Sequence, residues 1–81
     1  MESKWCVYLL RCNDNTLYCG MTNDLENRLH MHRSGKGAKY TRGRGPLELV
    51  YTEQCADKSA ALKREYEIKS MPRNQKLELI K

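Results

Sequence analysis

Eighty-one residues are enough for one domain and too few for two, and a chain of this size buries only about 60–65% of the surface that it exposes when unfolded. A hydrophobic fraction of 40% beside a charged fraction of 31% excludes a disordered chain, and no apolar run is long enough to span a bilayer. Fifteen Lys and Arg against ten Asp and Glu leave a net charge of +5, which points to a polyanionic partner, nucleic acid before others.

Phe is absent, so Trp5, the five Tyr and the aliphatic residues must supply the core. That leaves little room for an internal cavity, and an open surface site is expected. The cysteines at 6, 12, 19 and 55 form no CxxC pair and show no His spacing typical of zinc. With no secretory or transit segment to read, the chain is expected to be cytoplasmic with reduced thiols; a disulfide framework is the alternative.

Residues 4–11 and 16–20 flank the polar turn Asn13-Asp14-Asn15 and read as a β-hairpin. If the turn is centred on Asp14, pairing partners sum to an even number and residues of equal parity share a face. Tyr8, Tyr18 and Gly20 then point the same way. Two phenols beside a backbone without a side chain suit a polar ligand. Packing alone also accounts for them, because Tyr is a good residue for a half-buried strand.

Asn23 is predicted to cap a helix from about Asp24 to Ser34, with Glu26 at N3 closing a capping box and Gly35 as the stop. Leu25 and Leu29 define its apolar arc. Arg28 and His32 lie on that arc and are neighbours at i and i+4. Pairing with the sheet or with Asp24 is one reason for an inward Arg28; a ligand is the other. Residues 35–46 hold four of the five glycines and, with Arg33 just before them, the acid-free cluster Lys36, Lys39, Arg42 and Arg44. These four cations are candidate phosphate contacts and Tyr40 a candidate stacking platform; a solvated basic loop is the plain alternative.

Residues 47–53 alternate Leu47, Leu49, Tyr51 against Glu48, Val50, Thr52 and read as a third strand. A second helix begins at Asp57 or Ser59 and runs to about Met71, ended by Pro72. Residues 73–81, with Leu77, Leu79 and Ile80, are predicted to form a short third helix. The order β-β-α-β-α-α is that of an α/β (α+β) domain, a small sheet covered by helices. On the second helix Ala61, Leu62, Tyr66 and Ile68 mark an apolar arc with Glu65 in its middle, where a carboxylate is costly unless paired or bound to a cation. An Arg28–Glu65 ion pair satisfies this, and so does a catalytic arrangement in which the two residues handle opposite charges.

Two phenols, an arginine, a histidine, one carboxylate and a basic Gly-rich loop suit hydrolysis of a phosphodiester. One carboxylate can hold Mg²⁺ when substrate phosphate and water complete the shell. Arginine neutralises charge developing on phosphate oxygens. A phenol with its ordinary pKa near 10 is a poor base, which nearby cations improve.

Val7-Tyr8, followed ten residues on by Tyr18-Cys19-Gly20, resembles the paired motif that names the GIY-YIG nuclease superfamily. The resemblance continues through Arg28, His32 and Glu65 and covers essentially the whole chain. The segment Gly35-Lys36-Gly37-Ala38-Lys39-Tyr40-Thr41-Arg42-Gly43 is similar to the loop of a small single-domain bacterial branch related to the nuclease subunit of structure-selective resolving complexes. The resemblance implies a three-stranded antiparallel sheet flanked by helices and a nuclease using one Mg²⁺ or Mn²⁺. It implies Tyr8 as general base or activator of the attacking water, and Tyr18 as the group orienting water or phosphate. Arg28 would stabilise the transition state, His32 would assist proton transfer or contact phosphate, and Glu65 would bind the metal. Gly20 would let the backbone approach the phosphate. Cys6 stands where the first motif has Gly, Cys19 where the second has Ile, and Met21 where many members carry Lys. Leu77 stands where many have Asn, with Asn74 nearby.

Three functions are consistent with this pattern. The first is a metal-dependent DNA endonuclease acting on branched or flapped structures. The second is a non-cleaving nucleic-acid-binding module of the same fold. The third is a subunit whose main task is to bind another protein. A nuclease this small, expected to be a monomer without a small-molecule cofactor, either borrows target specificity from a protein partner or has little.

Overall fold

The computed structural model describes residues 4–34 and 46–80. The candidate phosphate contacts Lys36, Lys39, Arg42 and Arg44, the candidate stacking residue Tyr40 and the proposed helix stop Gly35 lie outside the described residues. The elements follow the expected order: β1 (Cys6–Arg11), β2 (Leu17–Thr22), α1 (Leu25–Arg33), β3 (Glu48–Gln54), α2 (Lys58–Lys69) and α3 (Arg73–Ile80). The sheet is antiparallel with strand order β2-β1-β3, which puts β1 in the centre.

A hairpin centred on Asp14 forms as the parity argument requires. Tyr8 lies opposite Gly20 and Leu10 opposite Tyr18, so each pair sums to 28 and shares a face. The turn holds itself in place: Cys12 N–H donates to the Thr16 carbonyl at 2.9 Å, Asn15 N–H to the Cys12 carbonyl at 2.9 Å, and the Thr16 hydroxyl to Asp14 Oδ1 at 2.6 Å. Asn15 takes the left-handed conformation (φ 67°), which Asn tolerates better than most side chains.

Alternation along β1 divides the interior in two. Val7 and Leu9 face α2 and α3 and pack with Cys19, Cys55, Ala61 and Ile68. Tyr8 and Leu10 face α1 and pack with Cys12, Leu47, Leu25 and Leu29. Both faces of the central strand are therefore covered, and Val7, Tyr8, Leu9 and Leu10 are all fully buried. All four cysteines are free and buried.

Three local expectations are corrected. The α1 cap is Asp24 rather than Asn23: its side chain accepts the Asn27 N–H at 3.3 Å and its carbonyl accepts the Arg28 N–H at 3.0 Å. Glu26 falls at N2, one position short of a capping box. On β3 the alternation is broken, because pairing shifts between Leu9–Tyr51 and Leu10–Leu49 and leaves Val50 as an extra residue. Leu47 and Leu49 consequently pack on the α1 side, and Val50 and Tyr51 on the other. On α2 the inward stripe is Ala61, Arg64, Glu65, Ile68, an i, i+3, i+4, i+7 set, whereas Leu62 is 49% and Tyr66 75% exposed. Glu65 does lie on the inward stripe, but Leu62 and Tyr66 are rotated about 100° away from it.

Among the two alternatives for the start of α2, Asp57 is the cap, accepting the Ala60 N–H at 2.8 Å. Pro72 separates α2 from α3 and its carbonyl accepts the first N–H groups of α3, from Gln75 and Lys76.

Candidate active site

The central strand delivers Tyr8 and the α1 stripe delivers Arg28 and His32 to the same side of the sheet. His32 is buried, and its Nε2 is 2.9 Å from the Tyr8 hydroxyl. Arg28 donates from Nε to the same hydroxyl oxygen at 3.4 Å. Because the oxygen accepts from Arg28, its own proton is free to be donated to His32 Nε2, which needs the tautomer protonated at Nδ1. Tyr18 completes the cluster: its ring centroid is 5.3 Å from His32 and 6.4 Å from Tyr8.

Gly20 supplies the space for this cluster. A Cβ at that position would lie 2.5 Å from the Tyr8 hydroxyl oxygen, 2.6 Å from its Cζ and 3.1 Å from Tyr18 Cε1. Tyr8 on β1 thus lays its phenol across the edge strand β2 at the one residue without a side chain. The glycine therefore makes room for the phenols of the protein itself. Gly20→Ala is expected to cost about 1–3 kcal/mol of stability, the usual range for overpacking. That corresponds to a fall of roughly 4–8 °C in melting temperature per kcal/mol for a domain this small. An unchanged melting temperature would show that the ring is not seated over Gly20.

The electrostatics keep the cluster neutral at its centre. Burial pushes the Tyr8 phenol up, against the hydrogen bond from Arg28 that draws it down. Burial, then the Arg28 charge, pushes His32 below the usual imidazole value. The hydrogen bond to Tyr8 is the main cause holding Arg28 further up, and Tyr18 lies close enough to add to it. A protonated phenol donating to a neutral imidazole, under a permanent guanidinium charge, is the resting state.

Glu65 approaches from the other side of β2. After burial, its charge raises Cys19, which reaches about 11; on Tyr8 it adds the smallest effect, behind burial and Tyr18. The Arg28–Glu65 ion pair allowed by the sequence is not what these residues form: Arg28 bonds Tyr8, and Glu65 pairs with Lys69 at 3.6 Å. The interhelical carboxylate–guanidinium tie is instead replaced by a helix-to-strand one, Arg64 to Glu53 at 3.0 Å, with Tyr51 donating to Glu53 at 2.6 Å. Lys69 and Lys76, which the sequence reading missed, both lie close enough to Cys19 to draw its pKa down. The i, i+4 spacing from Glu65 was a signal for Lys69; Lys76 lies on α3, far from Cys19 in the chain.

Among the described residues no three His, Cys, Asp or Glu side chains come together as a metal cage, which excludes a zinc-type donor set there. Glu65, a single carboxylate oxygen donor with 19% of its side chain exposed, fits a hard cation that takes its other ligands from water and substrate phosphate. A groove of about 600 Å³ lies elsewhere, beside the start of α1, and its lining includes the acids Asp24 and Glu26. Those charges suit a polyanion poorly. The Tyr8 cluster is the better site: Tyr8 and His32 are buried in it, and Tyr18 and Arg28 are half-buried.

The GIY-YIG catalytic domain family model matches residues 4–78. A UPF0213 protein of Oceanobacillus iheyensis is 56% identical over 80 residues, covering 99% of this chain and 93% of that protein. The UPF0213 protein of Bacillus halodurans, solved by NMR in solution, superimposes with a TM-score of 0.62 at 47% identity, over 94% of this chain and 81% of that one. The protein EF2693 from E. faecalis, also solved by NMR in solution, superimposes with a TM-score of 0.63 at 41% identity, over 94% of this chain and 83% of that one. The motif spacing read from the residues and the matched domain therefore agree, and the chain belongs to the UPF0213 group of the GIY-YIG nuclease superfamily.

Proposed function

We propose that this protein is a divalent-metal-dependent endonuclease that hydrolyses phosphodiester bonds in DNA, with branched or flapped DNA as its substrate. The observation that carries the reading is the Tyr8 hydroxyl held between His32 Nε2 and Arg28 Nε over Gly20. A structural tyrosine needs one partner for its hydroxyl; this one has an acceptor and a cation. As an attacking water gives up a proton to the Tyr8 oxygen, the Tyr8 proton passes to His32 Nε2. The resulting hydroxide forms the new P–O bond while the leaving oxygen departs. His32 returns its proton readily, because burial and Arg28 disfavour the imidazolium. Arg28 stabilises charge on the phosphate oxygens, and Tyr18 orients the water or phosphate. Mg²⁺ or Mn²⁺ on Glu65 would supply Lewis-acid stabilisation of the phosphate.

DNA is the expected partner through the net charge of +5 and the cations of residues 36–44, with a protein partner contributing target choice. The test is cleavage of labelled linear, flapped and four-way-junction DNA with Mg²⁺ or Mn²⁺ and with chelator. Cleavage that needs the metal and favours one branched substrate is expected. Binding without cleavage of any substrate would sink the proposal in favour of a non-cleaving module, and cleavage surviving the chelator would remove the metal.

A further inference from the structure

The other ion-paired carboxylate partly sheltered by α2 shows what a permanent tie looks like in this fold. Glu53 is 32% exposed and saturated: Arg64 Nε lies 3.0 Å from Oε2 and 3.1 Å from Oε1, and the Tyr51 hydroxyl donates at 2.6 Å. Glu65 is more sheltered, at 19%, yet among the described residues its ion pair is one lysine at 3.6 Å. That lysine is itself 54% exposed. An ammonium on a flexible four-carbon stem is an exchangeable counter-charge, whereas a guanidinium fork is not. Arg64, one residue before Glu65, is held by Glu53 and Glu67 instead.

We propose that Lys69 is a resident counter-ion of Glu65 that a divalent cation must displace. This inference rests on the reading of Glu65 as the metal's ligand. A carboxylate sheltered to this degree is costly without a cation beside it, and Lys69 supplies that charge when no metal is bound. The same ammonium lowers the affinity for the metal, since both cations compete for the carboxylate oxygens and repel one another. Cation binding releases the ammonium on the β2 side of α2, where Lys76 and Arg64 also act on Cys19. There it is free to meet a phosphate of the bound strand.

The test is a Mn²⁺ titration of the DNA-free protein at low ionic strength, following the free-ion signal by electron paramagnetic resonance. Wild type is compared with Lys69→Met, Lys63→Met and Glu65→Ala, with thermal melts to confirm folding. Lys63 lies on the same exposed helix and carries the same charge, so Lys63→Met separates local competition from net charge. Lys69→Met is expected to bind Mn²⁺ about two- to fivefold more tightly, the scale of an exposed ion pair. Lys63→Met should match wild type, and Glu65→Ala should lose the site. Equal affinity in wild type and Lys69→Met, or equal tightening in Lys63→Met, overturns the counter-ion role while leaving Glu65 as ligand. Unchanged binding by Glu65→Ala overturns the metal assignment itself.

Discussion

Replacing Glu65 with Ala is expected to abolish cleavage while leaving most of the affinity for DNA. Losing a residue that merely orients a metal ligand typically costs 10–100-fold; losing the proposed carboxylate ligand should cost more than about 100-fold. The rest of the molecule should barely notice. The Glu65–Lys69 pair is an i, i+4 contact with an exposed lysine, worth about 0.3–0.5 kcal/mol at most sites of this kind. Removing a negative charge from beside a bound phosphate does not weaken binding. Cleavage rates and fluorescence anisotropy on the same labelled DNA separate the two effects. If Glu65 is only a structural ion-pair residue, the variant cleaves normally and melts at a lower temperature.

The second large effect is expected at Tyr8. Tyr8→Phe keeps the fully buried ring and deletes the oxygen that joins Arg28 to His32. The cleavage rate should fall by roughly 10²–10⁴-fold, the usual contribution of a positioned proton-transfer group, with DNA affinity retained. Stability should drop by about 1–3 kcal/mol, because His32 Nε2 is left buried without this partner. Wild-type cleavage at the level of Tyr8→Phe would remove the phenol from the mechanism.

The pH dependence follows from the same pair. His32 has a folded pKa below its ordinary 6.5, so between those two values the folded state binds fewer protons than the unfolded one. Stability from this group is complete above pH 6.5 and is lost as pH falls through the lowered value. The cleavage rate should fall over the same window, since a protonated His32 cannot accept from Tyr8.

Much of this molecule was legible in its residues because the deciding interactions are local. The turn Asn13-Asp14-Asn15 fixes hairpin register, and a period of two then puts Tyr8, Tyr18 and Gly20 on one face. The spacing Leu25, Arg28, Leu29, His32 is a helical stripe whatever it packs against, and all four residues are at least partly buried. Errors arose where a choice between near-equal local signals depended on neighbours. Asn23 and Asp24 both cap helices well, and the approach of the chain from Thr22 favoured the second, whose N–H is held by the Thr22 hydroxyl at 3.1 Å. Leu62 and Tyr66 look like core residues on a wheel, but the sheet beneath α2 is covered by Ala61 and Ile68.

Element order, the two faces of the hairpin and the chemical inventory of the site were all readable from the residues. Each follows from periodicity or residue type, properties of short segments. Which side chains meet came from the folded arrangement. It brought Arg28 to the Tyr8 oxygen instead of Glu65 and tied Arg64 to Glu53. It also showed that Gly20 is open because the phenol of Tyr8 occupies the space a side chain would fill. These contacts join residues far apart in the chain, and the distances between such residues are set by how helices and sheet pack rather than by spacing along the backbone.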